Sequence, residues 1–352
     1  MTRILIVSDA WFPQTNGVVT TLAQTAAWLG RFGHEVRVIT PREFCTLPCP
    51  TYPEVRVAVY PYRVMARRIA AFKPHAVHIA TEGPLGFAAR RYCIHQRLRF
   101  TTSYHTQFPQ YLKSRLPIPI WASYLALRWF HNAGERCMVS TPSVSAQLKA
   151  RGFKDLVRWE RGVDTQLFRP RNKNFLNLPR PVAAYLGRLA IEKNVRAFLR
   201  MPWAGSKIVI GDGPERARLQ SEFARVWFTG NRIGEELATY LAAADILVFP
   251  SLTDTFGLVN LEAMACGVPV AAYPVTGPID VIEDGVTGAL DANLARAAQR
   301  ALRIDSRACR ERALRSSWEA CTREFENNLV DSLLCAKPRR TPSCILADGI
   351  LN

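Results

Sequence analysis

No run of about 18 uncharged apolar residues occurs in the 352-residue chain, so no helix is expected to span a bilayer. There is no CxxC pair. The nine cysteines are an odd, scattered set, and although Cys45 and Cys49 lie four apart, no second Cys/His pair stands at metal spacing. Free thiols in a reducing, cytoplasmic compartment are therefore expected, with neither a zinc site nor a disulfide framework. The absence of GxGxxG disfavours a tightly held dinucleotide. No zinc-finger, RNP-type or helix-turn-helix pattern points to nucleic acid. The opening MTRILIVSDAWF has too short an apolar run for a signal peptide and reads as a first buried strand.

Acidic residues are also scarce, at 29 against 46 Lys and Arg, for a net charge of +17. The imbalance is local. Residues 1–165 hold 22 basic and 9 acidic residues, a net +13, whereas 166–290 carry +1 and 291–352 carry +3. A one-sided basic field suits an anionic surface, lipid or nucleic acid.

Apolar runs and helical spacings alternate along the chain. RILIVSD (3–9), a helix over 18–32 stopped by Gly33, and HEVRVIT (34–40) form a βαβ unit with short connections. Further strands are expected at 55–60, 75–80, 99–105 and 137–142, with helices at 63–72 and 85–96. Three prolines with several Asn and Arg mark 169–181 as a linker. Alternation restarts at VAAYLGR (182–188) and continues through strands at 207–211, 226–230, 246–250 and 268–272. The fold class is α/β. The division reads as a first domain over 1–168 and a second over 182–290. Closing helices over 291–335 are expected to pack back toward the first domain, and 336–352 to form a loose tail.

In open parallel sheets ligands bind beyond the carboxyl ends of strands, where helix N-termini aim free N–H groups outward. Four candidate stretches stand at such ends. In PQTNGVV, Gly17 removes a side chain where a helix begins. In GRLAIEKN, Arg188 and Lys193 lie five apart across a strand-to-helix turn and suit a diphosphate. In TDTFGLVNLEAMACGVP, Asp254 and Glu262 lie eight apart. The backbone N–H groups of Phe256, Gly257 and Leu258 suit a phosphate, and Glu262 suits ribose hydroxyls. In SYHTQFPQY, His105 ends a strand, where it can bond a sugar hydroxyl. Solvated cations, a capped helix and a structural histidine are the ordinary readings of the same residues.

Together with ATEGPLG, RGVDTQLFRP, VIGDGPER and FTG, these stretches run collinearly from residue 6 to about 290. The set resembles glycosyltransferase family 4, and within it bacterial mannosyl- and glucosyltransferases that build glycolipids. The resemblance implies the GT-B fold, two Rossmann-like domains with parallel sheets facing across a cleft, and a retaining transfer of a hexose from a GDP- or UDP-sugar with no metal or other cofactor. It places Gly17 beside acceptor and diphosphate, His105 at the donor sugar, Arg188 and Lys193 on the diphosphate, and Glu262 on the ribose. Gly211 and Gly213 would line the base pocket. Asp254 stands where many relatives carry Glu, which bears on sugar identity. Asn16, Glu82 and Asp164 are weaker acceptor or cleft candidates.

For the acceptor, the pairs Arg67–Arg68, Arg90–Arg91 and Lys113–Arg115, with Trp121, Tyr124, Trp129 and Phe130, suit a membrane interface. The expected partners are a nucleotide-sugar donor, a lipid acceptor such as diacylglycerol and an anionic membrane surface, with no nucleic acid. The expected location is the inner face of the cytoplasmic membrane. A soluble or polysaccharide acceptor, an inactive scaffold and a nucleic-acid-binding protein are the alternatives.

Overall fold

Strands buried on both faces read as continuous apolar runs, and those runs build two wholly parallel sheets. The computed structural model describes residues 1–14, 16–49, 52–113 and 119–333, the side chains of 52–54 and 111–113 excepted. The expected tail at 336–352, Arg115 and the side chain of Lys113 lie outside the described residues.

In chain order the strands are β1 (Arg3–Val7), β2 (Glu35–Ile39), β3 (Thr46–Cys49), β4 (Tyr52–Ala58), β5 (Ala76–Ile79), β6 (Thr101–Tyr104), β7 (Arg136–Val139) and β8 (Leu156–Arg158). They continue with β9 (Val182–Leu186), β10 (Ser206–Ile210), β11 (Trp227–Gly230), β12 (Ile246–Phe249), β13 (Val270–Ala272) and β14 (Gly288–Leu290). The first sheet has the order β2-β1-β5-β6-β7-β8 and the second β11-β10-β9-β12-β13-β14. The second is the 3-2-1-4-5-6 order of a dinucleotide-binding fold. Chain direction across each sheet reverses beside its first strand, at β1/β5 and at β9/β12, and these switch points open the crevices where ligands sit.

The stretch read as a strand over 55–60 belongs to neither sheet: β4 pairs antiparallel with β3 as a separate hairpin. Pro48 and Pro53 lack the N–H that a central strand must donate, which confines the pair to the periphery.

Alternation along β1 divides the first core. Ile4 and Ile6 face Leu22 and Leu29 of the Gly17–Arg31 helix together with Trp318 and Phe325. Leu5 and Val7 face Met65, Leu85 and Phe130, from the helices Tyr62–Phe72, Pro84–His95 and Ile120–His131. Of the aromatics expected at a surface, Phe130 and Tyr124 are therefore core residues, at 0% and 5% exposure, while Trp121 and Trp129 stand out at 65% and 57%.

The closing helices divide between the domains. Leu294–Ala301 packs on the second sheet through Leu294, Ala297 and Ala298, and Ser306–Leu314 buries Cys309 and Ala313 in the second core. Trp318–Asn328 alone lies on the first sheet. Its return is laced to the outward crossing. Val163 N–H donates to the Ser316 carbonyl at 2.9 Å, and Val163 bridges Ser317. Gly162 packs so closely that a Cβ there would lie 2.5 Å from Trp318 N.

Candidate active site

The two switch points face each other, and the loops after β6 and β7 touch those after β12 and β13. Thr255 Oγ1 donates to the His105 carbonyl at 2.6 Å, and Gln107 Nε2 to the Asp254 carbonyl at 3.4 Å. Ser140 Oγ and Thr141 Oγ1 donate to the Thr255 carbonyl at 3.1 and 3.3 Å. Ser143 N–H donates to Asp280 Oδ1 at 3.2 Å.

Gly17 opens its helix immediately opposite Leu258, the first residue of the Leu258–Ala265 helix; a Cβ on Gly17 would lie 3.3 Å from Leu258 Cδ1. Two helix N-termini thus meet across the cleft, each a favourable place for negative charge. Gly257, at φ 82°, makes the turn into the second helix, and a Cβ there would lie 2.7 Å from Asn260 Nδ2 and 2.9 Å from Phe249 Cζ.

At the second switch point Lys193 Nζ lies 2.5 Å from Asp254 Oδ1. The loop carrying Arg188 and Lys193 is further tied to the end of β12 by Asn194 Nδ2, which donates to the Pro250 carbonyl at 3.1 Å. Arg188 follows β9 and is half-buried, its carbonyl accepting from Tyr185 Oη at 2.8 Å. Phe256 is a core residue, and Leu258 touches the cores of both domains. Glu262, one turn into its helix, has no hydrogen-bond partner among the described residues, and burial raises its pKa to about 7.

His105 accepts a hydrogen bond at Nδ1 from Arg161 Nη2 at 3.1 Å. The guanidinium stays protonated, although burial lowers its pKa to about 10. Nδ1 therefore carries the lone pair and Nε2 the hydrogen. Burial first, and then the charge of Arg161, hold the ring well below the usual histidine range, hence neutral.

Several polar atoms here are sealed from solvent without a hydrogen-bond partner: His105 Nε2, Ser251 Oγ, Asp254 Oδ2, and both amide atoms of Asn260. An orphaned buried group costs about 1–3 kcal/mol. Natural proteins hold few, and they mark a strained or ligand-binding site. The five named here lie after β6 and on the loop and helix after β12, while others are spread through both domains.

Other expected site residues have local work. Asn16 Oδ1 accepts from Val18 N–H and Val19 N–H, both at 3.0 Å, so its oxygen caps the helix rather than reaching an acceptor. Asp164 is exposed, and its Oδ1 accepts from the N–H groups of Gln166 and Leu167, which fixes a turn. Gly211 and Gly213 let two loops pack, since a Cβ would lie 2.0 Å from the Gly187 carbonyl oxygen and 2.4 Å from that of Leu189. Glu82 Oε1 accepts from His131 Nε2 at 3.0 Å. Burial alone would lower the His131 pKa, but the influence of Cys137 and the bond to Glu82 raise it to about 10.

Sequence reasoning missed Arg161, Thr255 and Asn260, although each lies inside a stretch already singled out, and Ser251, two residues before one. It also missed Asp9, which is half-buried at the first switch point and accepts from Leu85 N–H at 2.9 Å and Gly86 N–H at 3.2 Å. Among the described residues no group of three or more His, Cys, Asp or Glu side chains could hold a metal ion.

Residues 15–167 match the family described as Glycosyltransferase Family 4, and residues 180–304 the one described as Glycosyl transferases group 1. A GDP-mannose-dependent alpha-mannosyltransferase of Mycobacterium tuberculosis is 31% identical over 315 residues, covering 82% of this chain and 83% of its own. The chain belongs to glycosyltransferase family 4. Sulfoquinovosyl transferase SQD2 of Arabidopsis thaliana is 29% identical over 371 residues, covering 92% of this chain and 72% of its own. Among solved structures, Anabaena HepE in complex with UDP and glucose has the same fold, with a TM-score of 0.71 at 16% identity, covering 93% of this chain and 99% of that one. The sucrose-phosphate synthase of Thermosynechococcus elongatus gives 0.73 at 22% identity, with 93% and 98% covered. This family 4 protein is thus a GT-B glycosyltransferase that uses a nucleotide-sugar donor. Among its described residues no helix is long and apolar enough to cross a membrane.

Proposed function

We propose that the chain transfers a hexose, mannose or glucose/glucuronate, from a GDP- or UDP-sugar to a lipid acceptor such as diacylglycerol, working as a peripheral protein on the inner face of the cytoplasmic membrane. The observation that carries the donor site is the Lys193–Asp254 pair at the switch point of the 3-2-1-4-5-6 sheet, where Asp254 Oδ2 and Ser251 Oγ are sealed without a partner. The mannosyl- and sulfoquinovosyltransferase relatives support a hexose or hexose-derived donor.

In this reading Arg188 and Lys193 neutralise the diphosphate, helped by the N–H groups of Phe256, Gly257 and Leu258. Glu262 takes the ribose hydroxyls, Gly211 and Gly213 border the base, and Asp254 and His105 take the sugar. The C–O bond to the diphosphate breaks and the sugar gains oxocarbenium character. The acceptor hydroxyl attacks from the same face while a departing phosphate oxygen takes its proton. Retention then needs no enzymic nucleophile; the protein contributes position and charge stabilisation. His105 fits this role because its fixed Nε2–H donates to a sugar oxygen without adding positive charge beside the developing cation.

The test is incubation with labelled GDP- and UDP-sugars and a lipid extract, beside a thermal-shift series with UDP, GDP and ADP. A labelled organic-phase product and a Tm rise with one nucleotide are expected. Transfer to water-soluble acceptors alone would overturn the lipid assignment.

A further inference from the structure

Three helices cover one face of the first sheet: Tyr62–Phe72, Pro84–His95 and Ile120–His131. None contains an Asp or Glu, and together they carry six arginines. Two of these are committed elsewhere. Arg68 pairs with Glu43 at 2.7 Å, and Arg90 is buried over the Trp129 ring at 3.5 Å, donating to the carbonyls of Phe130 and Trp129. The other four, Arg63, Arg67, Arg91 and Arg128, have no carboxylate partner among the described residues; Arg91 lies over the Tyr62 ring at 4.5 Å, and Arg128 donates to the Arg151 carbonyl at 3.4 Å. Between the first two helices lies an open cavity of about 630 Å³, lined by Tyr60, Arg63, Pro84, Phe87, Ala88 and Arg91. Its wall is mostly carbon, and two of the unneutralised guanidinium groups stand on it. Tyr60 is 94% exposed and Phe87 43%, and Phe87 continues into Trp129 by a stacked contact at 6.2 Å.

We infer that this cavity holds one anionic phospholipid of the bilayer, with its phosphate between Arg63 and Arg91 and the beginning of its chains against Phe87 and Pro84. Trp129 and Trp121 then rest at the headgroup level. The inference deepens the lipid-acceptor reading and rests on it. Uncompensated cations beside exposed indole and phenyl rings are what a negatively charged interface attracts. An acid-free face favours that partner over a protein surface, where ion pairs would be matched by carboxylates. The cavity also begins where Pro84 opens the helix whose N–H groups Asp9 caps, so a lipid held here lies beside the first switch point.

The test is flotation of the full chain with phosphatidylcholine vesicles, with and without about 30% phosphatidylglycerol, in about 0.1 M salt. Arg63→Glu/Arg91→Glu is compared with Arg218→Glu/Arg225→Glu, which makes the same charge change on exposed positions of the second domain. Binding only to the anionic vesicles is expected, with about a tenfold or greater loss in the first variant and little change in the second. Phe87→Ser should lower binding several-fold. The nucleotide-induced rise in Tm should be the same in every variant. Equal losses in the two double variants, binding to neutral vesicles, or retention on a polyanion column without vesicle binding would each overturn the inference. Product formation from detergent-dispersed lipid by a variant that no longer floats would leave the acceptor assignment standing while isolating the role of this face. Floating protein that glycosylates no lipid would reject the acceptor assignment alone.

Discussion

The two domains share one construction, a six-stranded parallel sheet between helices, yet the carboxylates at their switch points are held differently. At the switch point of the first, Asp9 is fully occupied, accepting from Thr81, Leu85 and Gly86. At that of the second, Ser251, Asp254 and Asn260 keep buried atoms without partners. The first domain also carries, on its outside, arginines with no carboxylate partner among the described residues and exposed aromatic rings. In the proposed reading one half takes a polar molecule inward and the other meets an anionic surface. A shared fold fixes where such groups can stand, and the side chains at those places decide what each half does.

The largest expected effect tests the inward half. Lys193→Ala should lower turnover about a hundredfold, the loss of one strong donor to a developing charge, with Tm little altered; kinetics with labelled donor measure it, and near-normal turnover would remove the contrast. Next is the connection between the halves. Arg161→Gln should lower kcat about tenfold and add an acid limb to its pH profile. Without the nearby cation His105 protonates at a higher pH, so activity is lost sooner as pH falls. Unchanged pH dependence would reduce Arg161 to a packing residue. Gly17→Leu puts bulk against Leu258 and should raise KM for the donor several-fold by obstructing closure, with a smaller effect on kcat.

A smaller effect concerns stability. The Glu262 carboxyl has a folded-state pKa of about 7, above its ordinary 4.5, so the folded protein holds this proton more tightly than the unfolded chain does. The stability associated with that proton is complete below the ordinary value and is lost as pH rises toward 7. Glu262→Gln should therefore melt higher than wild type at about pH 8, with the gap closing by about pH 4. Thermal melts across pH measure it, and the same variant should bind nucleotide more weakly. The smallest effect is Trp121→Ser, which should change stability by less than about 0.5 kcal/mol because the ring is exposed. A large loss would show that the outer ring packs in the core after all.

Much of this was legible in the sequence because strands buried on both faces are unbroken apolar runs. β8 and β14, of three residues each, are too short to show a period, and the prolines around β3 and β4 obscured the hairpin. The chemistry of the site was legible as residue types inside long motifs. Its pairing was not: nothing in sequence spacing says that Lys193 and Asp254, 61 positions apart, meet. Arg161 is one of many arginines, and only its burial against His105 distinguishes it. Asn16 and Asp164 also do local work that the sequence reading did not assign them. Short polar side chains just before a helix or turn most often satisfy the backbone beside them.

The chain passes between its halves twice, and those passages are stitched together where Val163 meets Ser316 and Gly162 lies against Trp318. Two seams fused into one behave as the spine of a book. Sliding and twisting would tear the stitches, while opening and shutting leaves them whole, so swinging is the easiest relative motion left. Gly162, which leaves no room for a side chain beside Trp318, thus sits on the fold line of that spine.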